Sequence, residues 1–463
     1  MPDPQQPLAP SVDSQPEMRR AVGRWQLYGL SINDVIGSGI YLLPAAAALL
    51  LGPASLWAVL LAGLAVSLLV LCYAQAASYF DQPGGGYLYA REAFGSFIGF
   101  EVGWMLLITR VASAAALSVG LAQAVTHFWP HAASGGAQVA IVTGSLAFLV
   151  VVNVVGVRAA ARTGVFLAIA KVLPLLMFIA IGAMYVDMSQ ATSLPGPVPL
   201  RDLGEAALLL LFAYAGFENL PAAAGEYRNP QRDVPFAMLL MIATVTLLYF
   251  VVQWVALGTL PGLAQSQTPL ADAAVTFGGG WLALALTVGA AVSILGTNSN
   301  TVMLGPRYLH AMAMDGYGPA ALAKIHPRFR TPALAIITVG VLSLLLALTS
   351  SFEEWSLAMQ PGWGKSLLLK MSSSFEGLAL LSVVARLCTY IGTSVSVLVL
   401  SRRHGDRDGA LRLPGGPLIP IAATLLSIGL LASATAWNLV AGAIALALGA
   451  IVFLFRRKPA PQA

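Results

Sequence analysis

At 463 residues, 58% of them apolar and only 10% charged, the chain lies far outside the usage of soluble domains and reads as an integral membrane protein. Its formal charge of +5 comes from 25 basic against 20 acidic residues, and the basic ones do not cluster on a soluble face, which sets nucleic-acid binding aside. Cys72 and Cys388 both fall inside apolar runs without metal-ligand spacing, so they read as small core residues and neither a disulfide nor a metal site is expected.

Met1 to Glu17 is rich in Pro, Gln and Ser and contains no apolar run, so residues 1–20 predict a disordered tail; no cleavable signal peptide is visible. Residues 21–458 hold about twelve apolar runs, each long enough to cross about 30 Å of hydrocarbon, and 459–463 form a closing tail. The runs are unbroken rather than alternating. That predicts helices and not barrel strands: an all-α integral membrane fold of about 12 transmembrane helices.

The first run, about Trp25 to Leu51, meets Gly37-Ser38-Gly39 where its centre should be and turns apolar again through Pro44. Each glycine weakens helix propensity by about 1 kcal/mol relative to alanine. In hydrocarbon an unwound turn persists only where it lines a cavity or is buried in protein, and its freed N–H and C=O groups then become ligand groups. The alternative is that these glycines only let two helices pack closely.

The second span ends near Tyr79, and a loop with Pro83-Gly84-Gly85-Gly86-Tyr87 follows. It lacks the Lys-Ser/Thr of a phosphate-binding loop and predicts a rigid hinge. The third span, about Phe97 to His127, carries Arg110, which at that depth must face the bundle interior, snorkel or find a partner. It is a functional candidate, or else a pin for neighbouring carbonyls. The fourth runs about Val139 to Val157, and the fifth, about Thr163 to Met188, holds Lys171 in its cytoplasmic third, followed by Pro174.

The sixth span is again interrupted, by Gly216, Glu218, Asn219 and Pro221. Paired interrupted spans, one in each half, are the sequence pointer to an inverted-repeat transporter with its site at the midplane. The span leads to Glu226 through Pro235, where mixed charges suit a salt-bridged latch or a solvated loop. The eighth span, about Gly280 to Leu309, carries Asn298, Ser299, Asn300 and Arg307. After the ninth, Ser350-Ser351-Phe352-Glu353 recurs as Ser373-Ser374-Phe375-Glu376, so residues 350–374 predict an external insertion. Gly364-Lys365-Ser366 looks like the end of a nucleotide loop, but Met359 stands where its first Gly is needed. The tenth span carries Arg386, and two closing spans follow Leu413-Pro-Gly-Gly-Pro417.

Twelve crossings place Arg19, Arg91, Arg158, Arg228, Arg307, Arg328, Arg402 and Arg456 on one side, with other basic residues. Outside that side's loops and the spans, only Arg201, Lys365 and Lys370 remain. By the positive-inside rule both termini are cytoplasmic and the protein is a multi-pass protein of the cell inner (cytoplasmic) membrane.

In combination these motifs identify a resemblance to the amino acid–polyamine–organocation permeases, and within them the bacterial amino acid permeases. It is carried by Gly37-Ser38-Gly39-Ile40 with Pro44, the Pro83–Tyr87 loop, Phe212-Ala-Tyr-Ala-Gly216-Phe217-Glu218, Glu226 with Asn229-Pro230 and Asp233-Val-Pro235, and Met312-Ala-Met-Asp315-Gly316 with Pro319. The resemblance covers nearly all of residues 20–458. It implies the LeuT-type fold, a 5+5 inverted repeat of spans one to five and six to ten with helices 1 and 6 broken. It also implies a secondary active transporter moving amino acids by alternating access, by proton-linked symport or as an exchanger. Two departures stand out. Met314 replaces the basic residue usual before Asp-Gly, and the extra residues near 352–374 have no counterpart.

The site expected from this reading has the substrate's α-carboxylate on N–H groups around Gly37, Ser38, Gly39 and Ile40, where a half-helix N-terminus adds a favourable dipole. The α-amino group meets carbonyls freed around Phe212, Ala213, Ala215 and Gly216. Phe212 is expected as an aromatic gate, with Glu218 as a second gating group, an attractant for a cationic side chain, or a protonated structural acid. An ammonium at the depth of Lys171 costs about 2.5–3.5 kcal/mol on insertion scales, so it needs carbonyl or acidic partners or must give up its proton. In the family the matching lysine sits where sodium-coupled relatives bind a cation. Its expected partners for ion coupling are carbonyls near Val35 and Ile36, Asp34, Ser293 and Thr297.

An embedded enzyme would need convergent groups at one depth, but His127, His131, His310, His326 and His404 are scattered, and no metal-binding helix motif or nucleophile elbow occurs. No catalytic residue, cofactor or metal is expected. The expected partners are an amino acid, a proton and the lipid bilayer. A non-transporting sensor on the same scaffold would share the site, and the oligomeric state is not legible.

Overall fold

The computed structural model describes residues 18–37, 39–126, 128–191, 206–207, 209–211, 213–351, 375–405, 409–434 and 436–455. Ser38, Phe212 and the insertion at 352–374, each singled out from the sequence, lie outside the described residues.

The first span is two helices, α1 (Arg24–Val35) and α2 (Gly39–Leu51). The second is α3 (Ser55–Tyr79). A short helix, α4 (Gly86–Phe94), follows the glycine loop, and α5 (Ser96–Val125), α6 (Gly135–Val155) and α7 (Val157–Gly182) are spans three to five, with one turn, α8 (Met188–Ala191), after them. The sixth span is helical at 206–207, 209–211 and 213–214, breaks at 215–216 and resumes as a 3₁₀ segment, Phe217–Glu226. Spans seven to ten are α9 (Pro230–Thr259), α11 (Gly279–Met314), α12 (Ala333–Ser351) and α13 (Phe375–His404), with a short α10 (Pro269–Phe277) before α11. The closing pair is α14 (Leu418–Ala432) and α15 (Ala436–Leu454).

Seven helices among the described residues are long and apolar enough to cross a membrane, and three shorter apolar helices accompany them. With the two broken spans this makes the twelve crossings of the sequence pattern. On α7 the two faces are distinct: Phe166, Ile169, Leu173 and Leu176 are each at least half exposed, while Leu167, Ala168, Lys171, Leu175 and Phe178 are buried. Apolar side chains exposed in a row along a helix face lipid, and the three-and-four spacing of the buried set turns Lys171 inward with it.

The packing carries a regular offset. α3 lies along α9, α5 along α11 and α6 along α12, so spans two, three and four each pack on the span five later. The broken first span likewise touches the broken sixth through α1 and the 3₁₀ segment. That offset is what an inverted repeat of five spans produces. α5, covered by α4, α11, α12, α13 and α15, is the most deeply buried of the spanning helices. On the side rich in arginine, residues before α1 pair with the end of the 3₁₀ segment: Ala21 N donates to Glu226 O at 2.9 Å, and Arg228 N to Val22 O at 3.0 Å.

Candidate functional site

The two breaks face one another. A Cβ on Gly39, the first residue of α2, would sit 3.4 Å from both Cα and Cβ of Ala213. Gly216 has φ +130°, and a Cβ there would lie 2.9 Å from the carbonyl oxygen of Asp34. Only glycine combines that backbone with so close an approach. Between the breaks lies a cavity of about 60 Å³, room for several water molecules. Gly37, Gly39, Ala213, Ala215 and Gly216 line it from the broken spans, and Ile40 is buried behind Gly39. Asp34, Arg110, Thr297, Thr301 and Arg386 supply its polar wall. A larger crevice of about 350 Å³ at Trp57, Leu61, Leu211 and Leu426 is lined by apolar side chains and offers nothing to orient a polar solute.

Ending α1 at Val35 leaves its last carbonyls without intrahelical partners. Lys171 takes two of them. Its Nζ donates to Asn33 O at 2.7 Å, to Ile36 O in a very short contact, and to Thr297 Oγ1 at 3.4 Å. Ser293 Oγ and Thr297 Oγ1 also donate to Ile36 O, at 3.1 and 3.4 Å. The carbonyl of Val35 is not a lysine partner but accepts from Tyr249 OH at 3.2 Å. An ammonium at a helix C-terminus meets the negative end of the macrodipole, so α1 is a favourable place for this buried cation. Asn33 adds a second tie, donating to Gly296 O at 2.8 Å and Asn300 Oδ1 at 3.0 Å, while Asn300 Nδ2 donates to Leu30 O at 2.6 Å. α1 is thus anchored to α7 and α11 by polar contacts at mid-depth.

Around the sixth span the chemistry is ionic. Glu218 is fully buried, and its Oε1 lies 3.4 Å from Arg110 Nη2 and 2.9 Å from Arg386 Nε, the latter an ion pair without hydrogen-bond geometry. Its Oε2 accepts from Gly216 N at 2.9 Å and Tyr390 OH at 3.0 Å, and its carbonyl accepts from Tyr308 OH at 3.1 Å. Arg386 and Tyr390 reach the same carboxylate because they stand one turn apart on α13. Glu218 is therefore already paired and does not stand open to a cationic side chain. Asn219 Nδ2 bridges Gly216 O at 2.7 Å and Asp34 Oδ2 at 3.0 Å, which leaves Asp34 Oδ1 buried without a partner. The carbonyl of Ala213, one of those expected to be free, accepts from Tyr249 OH at 3.1 Å.

The structure thus brings Gly37, Gly39, Ala213, Ala215, Gly216, Asp34 and Thr297 to one cavity, with Lys171 and Ser293 directly behind the first break. Sequence reasoning missed the roles of Asn33, Asn219, Tyr249 and Tyr390. The intramembrane charges of Arg110 and Arg386 were a signal for theirs, whereas a tyrosine in an apolar run carries none.

The amino acid permease family model matches residues 22–455, nearly the whole chain. The chain belongs to the amino acid permease family. Its fold is accordingly the LeuT-type inverted repeat, and the permease is a multi-pass membrane transporter by family. It is 27% identical to the branched-chain amino acid permease BcaP of Bacillus subtilis, over 98% of this chain and 96% of that one. It is 27% identical to the methylthioribose transporter of the same organism over 95% and 94%, and 28% identical to its serine/threonine exchanger SteT over 90% and 91%.

Proposed function

We propose that this permease moves amino acids across the cell membrane by alternating access, coupled to protons, with the arginine-rich face and both termini in the cytoplasm. The single observation that supports it best is the division of labour at the first break. The C-terminal carbonyls of α1 are held by Lys171, while the N-terminal end of α2 opens on the cavity through Gly37 and Gly39. An amino acid's α-carboxylate docks at that positive helix end. Its ammonium meets the unpartnered Asp34 Oδ1, since Ala213 O and Gly216 O already accept hydrogen bonds.

Lys171 ties the first span to the scaffold in this reading, and deprotonation or reorganisation of its tie to Asn33 and Ile36 accompanies opening toward the cytoplasm; a lysine that stays charged as a built-in cation is the competing reading. Phe212 remains the proposed aromatic lid, with Glu218 fixing the gate's frame through its arginines. Replacing Lys171 cripples symporter and exchanger alike, so the deciding measurement is uptake into sodium-free proteoliposomes with and without an inward proton gradient. Gradient-stimulated uptake into amino-acid-free vesicles is expected. Gradient-insensitive uptake that requires internal amino acid would replace proton symport by exchange, and absence of any uptake despite amino acid binding would favour a sensor.

A further inference from the structure

The polar wall of the cavity carries more positive charge than the backbone groups of an amino acid require. Among the described residues, three basic groups, Lys171, Arg110 and Arg386, stand at the breaks against two acids, Asp34 and Glu218, and all five side chains are buried. The next buried pair along the same spans, Arg307 with Glu226 at 2.9 Å, is self-balanced. Lys171 is occupied by the first span, so the surplus is expressed on the side where Arg110 and Arg386 line the cavity.

Both guanidiniums share a single carboxylate oxygen of Glu218, one at 3.4 Å and the other without hydrogen-bond geometry, which is weak use of two buried arginines. Arg110 Nε is buried with no hydrogen-bond partner among the described residues. A buried donor left unmade is costly, and a guanidinium in that condition matches a bidentate oxyanion. Opposite it, the unpartnered Asp34 Oδ1 fits an ammonium.

We infer that the substrate is an acidic amino acid, whose side-chain carboxylate is received by Arg110 and Arg386 while its α-ammonium meets Asp34 and its α-carboxylate the start of α2. Such a solute carries one net negative charge and brings the charges at the breaks to zero. A cationic amino acid would instead raise the surplus, and a neutral one would leave it standing. This inference rests on the reading of the cavity as an amino acid site and adds the side chain to it. Arg110 and Arg386 become the residues that determine specificity.

The test is calorimetric titration of the purified full-length permease with L-glutamate and L-aspartate, each against its amide, glutamine and asparagine, and with leucine, serine and lysine. Acid and amide have nearly the same shape, so the comparison isolates charge. At least one acid should bind about tenfold or more tightly than its amide. Equal or tighter binding of the amides, or binding confined to neutral or basic amino acids, overturns the inference and leaves the transport reading intact. Binding of no amino acid in either class overturns both. In Arg110→Gln and Arg386→Gln the acid-to-amide ratio should fall at least about fivefold. A folded variant with an unchanged ratio removes that arginine from the site. Should either variant fail to fold, the acid–amide comparison in the unaltered protein decides alone.

Discussion

Ion pairs occur in two regions of the permease, wholly buried in one and ranging from buried to half exposed in the other. At the midplane, Glu218 with Arg110 and Arg386 is at most 8% exposed on either side. On the arginine-rich face the burial is mixed: Arg307–Glu226 is fully buried, Arg24 pairs with the buried Asp233 at 2.9 Å, Arg91 with Asp315, which also takes the Tyr87 hydroxyl, is part-buried, and Arg20 pairs with Asp81 at 3.2 Å with both side chains about half exposed. The same residue types therefore do different work. Breaking a buried pair strands a charge at about 3–5 kcal/mol, whereas an exposed pair contributes about 0–1 kcal/mol because water and salt replace the lost partner. Under the proposed alternating access each face would open and close once in every cycle. Weak contacts suit the face that parts, and costly ones suit a frame that stays assembled.

The comparison is tested most severely at Glu218. Glu218→Gln leaves two buried guanidiniums without their counter-charge and should lower stability by about 3–5 kcal/mol, read as a fall in thermal unfolding temperature of the purified protein. A fall no larger than that of an exposed-face variant would break the distinction. Next comes Lys171→Met, which keeps the bulk and deletes the charge. Losing charge-assisted hydrogen bonds, each about 1.5–3 kcal/mol, should detach α1 from α7, abolish uptake and lower the unfolding temperature, and full uptake would remove Lys171 from the transport cycle.

Gly216→Ala sharpens the geometry rather than the electrostatics. A positive φ of +130° and a Cβ placed 2.9 Å from Asp34 O should cost about 1–3 kcal/mol and reduce substrate affinity, measured by titration; wild-type affinity would show that the second break tolerates a side chain. The smallest effect on stability is expected at Asp81→Asn, under about 1 kcal/mol, with a changed uptake rate and a weaker dependence of that rate on salt. A loss of several kcal/mol there would place the Arg20–Asp81 contact with the permanent frame instead.

Much of the fold is legible in the sequence alone. Unbroken apolar runs imply spanning helices because hydrocarbon leaves backbone groups no other partner, and Gly37 and Gly39, like Gly216, mark breaks because their backbone is the least committed to helix. Helical period places Leu167, Ala168, Lys171 and Leu175 on one face, and the charge of the lysine makes that face the inward one. Lys171 itself was legible as a group that needs partners, and the partner set narrowed to the last turn of the first span and the polar face of the eighth.

Which atoms would meet was a matter of tertiary structure. Val35 and Ile36 are adjacent carbonyls of the same loosened turn, yet one goes to Tyr249 and the other to Lys171, a choice set by how α7, α9 and α11 pack around α1. Glu218 beside a break reads from the sequence equally as a gate, an attractant or a structural acid. Its partners are decided by the fold: Arg110, 108 positions earlier, and Tyr390, 172 positions later, converge on it. Chemical type and helical face are local properties, carried by a residue and its neighbours within a turn or two. Pairing of buried charges depends on where distant helices cross, and in this permease that crossing exists only once the five-span repeats have closed on each other.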